Sequence, residues 1–367
     1  MKFTCDKNVL LEALNVVCKA ASQSSNLELL KGIKIQAEDK LVLTGTDLEI
    51  SIQSIIETNI LEEGSIVLDS RIFPEIIRKL PDGMMTFVSN GLSVDILSKS
   101  MKFSIQGLSS DGYPEVKKIE DGNEIKIHSK SLKDIIKKTI FATCINEARP
   151  VLSGAKVEVS GSLISMIALD GTRLAVKSEI IPETGLNNLE FIIPGRTLNE
   201  LLKVLKDDET EVNMIIYENN VMFKFENYVL TSRLLEGEFL DYTKTIPSDC
   251  RLKIKINTKE LTDTVERASI IINFDDPKKI PVIFDIKNSC INVDCFSKYG
   301  DFHEEIEIAD SGEIKIGIRS KLLLDALKSI DDNEVILELT SDLGPMVIKP
   351  VEGKGFLYMV LPVRLRG

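Results

Sequence analysis

The chain has 367 residues, 43% hydrophobic and 28% charged, with a formal net charge of −12. That length and apolar content support several buried cores, whereas the acidic total excludes a protein that holds nucleic acid by charge over its whole surface. No apolar run approaches the length of a membrane span, and Met1-Lys2-Phe3-Thr4-Cys5-Asp6 reads as a strand without a leader's apolar core, so a cytoplasmic protein is expected.

Taken in chain order, amphipathic helices are predicted to start near Asp6, Ser70, Ser129, Gly195, Thr258 and Ser320, at spacings of 64, 59, 66, 63 and 62 residues. A near-constant period is the mark of a repeated structural unit. Their apolar stripes are Leu10, Leu14 and Val17; Ile72, Ile76, Ile77 and Leu80; Leu132, Ile135, Ile136 and Ile140. The later three are Leu198, Leu201, Leu202 and Leu205; Leu261, Val265 and Ala268; Leu323, Ala326, Leu327 and Ile330. Steps of three, four and seven put each stripe on one helix face. Asp6, Ser70, Ser129, Thr258 and Ser320 are residue types suited to accept the unpaired N–H groups of a first turn; Gly195 is less so.

Between helices the period shortens to two, as in Lys34-Ile35-Gln36-Ala37, Ser93-Val94-Asp95-Ile96-Leu97 and Lys253-Ile254-Lys255-Ile256, which predicts strands with one buried face. Lys40-Leu41, Glu62-Glu63-Gly64, Asn90-Gly91, Ser160-Gly161 and Asn219-Asn220 supply turns. Each unit therefore reads as one helix and about four antiparallel strands, an α+β pattern. One helix on a small sheet buries little, so units are expected to pair into three domains, 1–121, 122–248 and 249–367. The boundaries follow Gly112-Tyr113-Pro114-Glu115 and the stretch from Phe239 to Pro247.

The charge is unevenly placed. The helix windows 6–20, 71–80, 129–140, 196–206, 258–268 and 319–328 total +8, leaving −20 for the remainder. Lys130, Lys133, Lys137 and Lys138 crowd the third helix, Arg196, Lys203 and Lys206 the fourth, and Arg319, Lys321 and Lys328 the sixth. One helix of this kind is an ordinary solvated face; the set points to one surface turned towards a polyanion.

The six cysteines lack CxxC spacing and are expected as buried free thiols, with no metal and no cofactor. An enzyme is the rival class. His128 and His303 are far apart, and His303-Glu304-Glu305 beside Asp301 fits an exposed strand better than a metal site. The chain contains no GxxxxGK[ST], GxSxG, HExxH or dinucleotide fingerprint, so no catalytic residue is assigned. A repeat scaffold that binds only proteins is the other rival.

Arg149-Pro150-Val151-Leu152-Ser153-Gly154 and Ala168-Leu169-Asp170-Gly171-Thr172-Arg173-Leu174-Ala175 resemble the middle domain of the bacterial DNA polymerase III β subunit, the replicative sliding clamp. Ile193-Pro194-Gly195-Arg196, Leu235-Glu236-Gly237-Glu238-Phe239 and Met359-Val360-Leu361-Pro362-Val363-Arg364-Leu365 extend the resemblance over essentially the whole chain. It implies a non-catalytic polymerase accessory subunit. The family fold is a head-to-tail homodimeric ring, with six domains around and helices inside. Twelve helices about 10 Å wide would leave a bore of roughly 28 Å, enough for a duplex. The implied partners are double-stranded DNA, held topologically without sequence specificity, the replicative polymerase, a clamp loader and other proteins bearing a clamp motif; no membrane is implied.

The resemblance also implies sites. A partner-peptide trough between the second and third domains takes one wall from Leu152, Gly171, Thr172, Arg173 and Leu174. The rest comes from Leu240, Lys244, Leu343, Met359, Leu361, Pro362, Val363 and Arg364. Such a trough is apolar with basic rims. DNA contacts are expected at Lys130, Lys133, Lys137, Lys138, Asn146, Arg196, Lys203, Lys206 and Lys321, and the dimer seam at Phe103 and Ile105 against Ile270 and Ile271. The chain departs from the family pattern at Leu169, Leu240 and Thr172, and Arg366-Gly367 run slightly past the usual end.

Overall fold

The computed structural model describes residues 1–116, 121–144, 148–277, 279–310 and 312–365. Six α-helices stand among them: α1 (Lys7–Val17), α2 (Ile72–Lys79), α3 (Ser129–Lys137), α4 (Gly195–Val204), α5 (Thr258–Asn273) and α6 (Ser320–Leu327). Each follows within two residues the end of a strand, and three strands or more separate it from the next, so the predicted repeat is present.

The apolar stripes explain why these segments are helical and which side they bury. Leu10, Leu14 and Val17 of α1, Leu261, Val265 and Ala268 of α5, and Leu323, Ala326 and Leu327 of α6 are all buried. Each fully buried aliphatic side chain contributes about 1.5–3 kcal/mol. The α2 stripe is rotated from expectation: Phe73, Pro74 and Ile77 are buried, and Ile72 is 54% exposed. Ile140 and Leu205 lie just past the ends of their helices.

Capping also differs from the sequence reading at several positions. Asp6 caps α1, accepting from the N–H groups of Asn8 and Val9. At α2 the acceptor is Asp69, which takes the N–H groups of Arg71 and Ile72, while the Ser70 hydroxyl donates to the Lys31 carbonyl. Ser129 likewise donates to the Lys206 carbonyl, and α5 is capped by Asn257, which accepts from Glu260 N–H, rather than by Thr258. Arg319, not Ser320, occupies the cap position of α6. The Ser70 and Ser129 hydroxyls tie their strand-to-helix corners to neighbouring backbone, while Asp69 and Asn257 supply the acceptors at α2 and α5.

The described residues form two compact contact units. The first, Met1–Lys130 with Lys203–Leu234, holds a five-stranded sheet ordered Ile60–Glu62, Lys2–Asp6, Met84–Asn90, Ser93–Ser98, Met101–Gln106. Its eight-stranded sheet runs Asn123–His128, Glu211–Tyr217, Asn220–Phe225, Tyr228–Arg233, Ile50–Ile56, Leu41–Thr46, Gly32–Ala37, Gly64–Asp69. The second unit, Ser131–Leu202 with Leu235–Gly367, has an eight-stranded sheet ordered Leu189–Pro194, Gly154–Ser160, Leu163–Leu169, Arg173–Ile180, Phe356–Val360, Met346–Pro350, Glu334–Leu339, Leu252–Asn257. Its four-stranded sheet runs Gly300–Glu307, Cys290–Ser297, Val282–Lys287, Ile314–Ile318.

Among the described residues every strand pairing is antiparallel. Each eight-stranded sheet draws four strands from each of two successive sequence thirds, the first and second in one unit and the second and third in the other, so the contact units do not follow those thirds. The joints are Tyr228–Arg233 against Ile50–Ile56 in the first unit and Phe356–Val360 against Arg173–Ile180 in the second.

Candidate partner-binding trough and basic helix faces

At the joint of the second unit Leu174 pairs with Met359, and Leu361 N–H donates to the Thr172 carbonyl at 2.9 Å. The chain then crosses to another sheet, where Val363 N–H donates to the Gly317 carbonyl at 2.8 Å. Beneath this crossing lies an apolar cluster of Val151, Leu152, Ile167, Leu169, Leu174, Ile192, Val347 and Met359, flanked by Phe239, Tyr242, Ile246 and Leu361. Four residues of the expected trough, Leu152, Leu174, Met359 and Leu361, thus meet in one place. Leu240 and Leu343 are 40% and 55% exposed, as apolar groups offered to a partner would be. A cavity of about 460 Å³ adjoins the cluster through Val151 and Phe239 and is lined also by Arg149, Pro150 and Leu240.

One of the expected rim cations is paired within the wall. Arg173 donates to Asp170 at 2.9 Å and to Asp325 at 2.5 Å, its guanidinium lies 5.5 Å from the Phe141 ring centroid, and its side chain is 11% exposed. A guanidinium with two carboxylates and a ring is spent on holding the wall and is not a free cation for a ligand. Asp170 also accepts from Thr172 and Arg173 N–H and from the Thr172 hydroxyl, while Gly171 sits at φ +84°, so the loop at this wall is preorganised. The remaining rim cations are exposed. Arg364 is one, and Lys244 pairs with Asp241 at 2.8 Å. Hydrogen bonds from Lys244 and Thr243 hold the Asp241 carboxyl down to about 2.

The first unit repeats the joint with different chemistry. The turn Asp47-Leu48-Glu49-Ile50 matches Asp170-Gly171-Thr172-Arg173: Asp47 accepts from Glu49 and Ile50 N–H, and Leu48 takes φ +81°. Strand pairing makes Ser51 and Thr231 the counterparts of Leu174 and Met359. Thr44 and Gln53 likewise correspond to Ile167 and Val176. On the same backbone one joint is polar at these positions and the other apolar.

On the helices, Lys130, Lys137, Arg196, Lys203, Lys206 and Lys321 are exposed and Lys133 is half-buried. Lys138 departs from expectation: it is 9% exposed and bonded to Asp134 at 2.7 Å and Asp331 at 3.0 Å. Burial alone would lower its pKa, but these two carboxylates outweigh it and raise it, so the charge is kept and already neutralised. Lys206 lies 2.7 Å from Glu226 and 3.8 Å from Glu12. Asn146 and Arg366-Gly367 lie outside the described residues.

For the expected seam, Phe103 and Ile270 are 39% and 57% exposed, whereas Ile105 and Ile271 are half-buried. His303 is on the exposed edge strand Gly300–Glu307, bonded to Asp294 at 2.7 Å. Among the described residues no group of three or more His, Cys, Asp or Glu side chains is placed to hold a metal ion, and no helix is long and apolar enough to cross a membrane. The six cysteines are free thiols; burial pushes Cys5 and Cys295 up to about 11 and Cys18 to about 12, while Cys144, Cys250 and Cys290 are half-buried.

Family models for the DNA polymerase III beta subunit match the chain three times: N-terminal domain at residues 1–117, central domain at 126–241 and C-terminal domain at 243–364. The chain belongs to the bacterial beta sliding clamps. It is 35% identical to the beta sliding clamp of Bacillus subtilis over 379 residues, covering 99% of this chain and all of the relative. It is 31% identical to that of Halalkalibacterium halodurans over 380 residues, again 99% of this chain and all of the relative. Among solved structures, the Bacillus subtilis DNA polymerase sliding clamp superposes with a TM-score of 0.95 at 33% identity, with full coverage of both chains. A putative DNA polymerase III beta subunit from Eubacterium rectale gives 0.95 at 32%, also with full coverage.

The three-domain α+β clamp fold, with helices on antiparallel sheets, accounts for the repeat. The beta sliding clamp is a non-catalytic processivity subunit of DNA polymerase III in DNA replication, which agrees with the enzyme reading being set aside. Sequence reasoning missed Phe141, Asp170 and Asp325 as the residues that fix Arg173. The only local signal for them is the turn-type pair Asp170-Gly171; nothing local marks Asp325, 152 positions away from Arg173.

Proposed function

We propose that two copies close head to tail into a ring around duplex DNA, with domains at 1–121, 122–248 and 249–367, and work in the cytoplasm. The supporting observation is a joint made twice and left open a third time. Tyr228–Arg233 and Phe356–Val360 each end a repeat's hairpins and each pair with a strand of the repeat three units earlier. The equivalent strand Met101–Gln106 ends its sheet, and so does Gly300–Glu307, the counterpart of the two acceptor strands. A head-to-tail contact whose rotation closes pairs these two edges with each other at every seam.

Ring closure makes retention topological, so phosphate contacts need only be weak and exchangeable. Exposed lysines on flexible stems suit that role better than bidentate arginine contacts. The apolar joint of the second unit is the trough for polymerase, loader and other partner segments, each bearing Leu or Phe anchors and an acidic or amide group. A tethered polymerase rebinds faster than it escapes.

Reversing Lys133 and Lys137 to Glu tests the inner face; Lys138 is omitted because its charge is already paired. Loading onto nicked circular DNA at moderate salt is expected to fall about tenfold, with trough-peptide affinity unchanged. Unchanged loading would remove α3 from the DNA-facing surface.

A further inference from the structure

The two intrachain joints share one register. Leu230 pairs with Phe223, Phe223 with Met214 and Met214 with Ile125, three residues before the last of its strand, His128. Tyr358 traces back through Ile348 and Leu337 to Ile254, three before Asn257. Phe103 traces through Ile96 and Phe87 to Phe3, three before Asp6. On the acceptor side, Gln53 leads through Thr44 and Lys34 to Val67, three before Ser70. Val176 leads through Ile167 and Lys156 to Ile192, three before Gly195, and His303 through Asp294 and Ile283 to Gly317, three before Ser320. At the joints Val229 faces Gln53 and Leu357 faces Val176.

We infer that the seam between copies repeats this register, so that His303 stands opposite Lys102 of the partner subunit and its protonation loosens the ring. The inference rests on the head-to-tail ring proposed above. It also sets Phe103 opposite Phe302 of the partner subunit, on the helix-facing side of both sheets, where Ile96 and Ile306 are buried. At the two joints that stay closed the corresponding pair is uncharged. The seam is the one joint that must open for DNA to enter.

The charges around His303 set the sign. On its own strand are Asp301 and Glu305, the latter 3.5 Å from Nε2; on the next strand Asp294 is at 2.7 Å, and beyond it lies Lys287, bonded to Asp285. On the helix side of the sheet, Arg267 is taken by Glu304. Across the seam come Lys102 and the Asp95 that holds it at 2.8 Å. In the free protomer the hydrogen bond to Asp294 raises the His303 pKa above its usual value. Lys102 of the partner subunit, placed directly opposite, adds like-charge repulsion to the protonated form. The open edge therefore binds the proton more tightly than the closed seam, and falling pH favours opening.

Sedimentation equilibrium of the full chain at pH 8 and pH 6, at fixed ionic strength, tests this. The dimer dissociation constant is expected to rise about fivefold at pH 6, two seams contributing. His303→Gln, which installs the residue type of the first joint, and Lys102→Gln should each abolish the rise. A flat wild-type profile, or the same rise in both variants, would overturn the inference. Phe103→Asp separates the two readings: a dimer that survives it refutes the seam itself, whereas a dimer that it breaks, with a pH response unchanged in His303→Gln, refutes only the proton effect.

Discussion

Phe103→Asp is expected to leave a folded monomer. The side chain lies on the terminal strand of its sheet and is 39% exposed in the protomer, so the substitution costs the isolated chain little. The register proposed for the seam sets it opposite Phe302 of the partner subunit, where a carboxylate would be buried without a partner. Each uncompensated buried charge costs about 3–5 kcal/mol, and a closed dimer has two seams, so the dissociation constant should rise more than ~1,000-fold. Sedimentation equilibrium reads this directly, and circular dichroism should show the fold intact. A dimer of wild-type affinity would remove the Met101–Gln106 edge from the interface.

The second large effect is at the trough. Ending the chain at Leu361, which deletes Pro362–Gly367, should lower affinity for a short peptide with Leu or Phe anchors about 100-fold. A single hot-spot residue in a desolvated apolar pocket carries about 2 kcal/mol or more, so the loss of one or two accounts for a change of that size. The cut is placed after Leu361 because Met359 is 5% exposed and pairs with Leu174, so deletion from Met359 would damage the sheet as well as the site. The lost Val363 bond to Gly317 costs about 1 kcal/mol of stability, which the dimer tolerates because neither edge strand is touched. Fluorescence anisotropy with a labelled peptide measures the effect, and unchanged affinity would move the site elsewhere.

Much of this was legible in the sequence because it rests on periodicity. The stripes of α1, α5 and α6 are strict three-four repeats, and Gly91 and Gly161 occupy turns at φ +59° and +58°. What was not legible depends on partners distant along the chain. Lys138 has the look of a basic surface residue until Asp331, 193 positions on, is brought beside it. Arg173 reads as a rim cation until Asp325 reaches it. Ser70 is an acceptable cap by type, yet Asp69 wins the N–H groups because a carboxylate accepts more strongly and the serine has a carbonyl to bond. Trough composition was legible in the same sense: Leu174 and Met359 are apolar where Ser51 and Thr231 are polar, but only strand register reveals that these positions correspond.

Topological binding is the centre of the account, and one measurement addresses it most directly. The protein is loaded on nicked circular DNA by a clamp loader, and retention is followed by gel filtration before and after the circle is cut once. Retention on the circle with loss on linearisation is the predicted result, since a ring leaves only by sliding off an end. Equal retention on circle and line would mean contact binding and would contradict the ring.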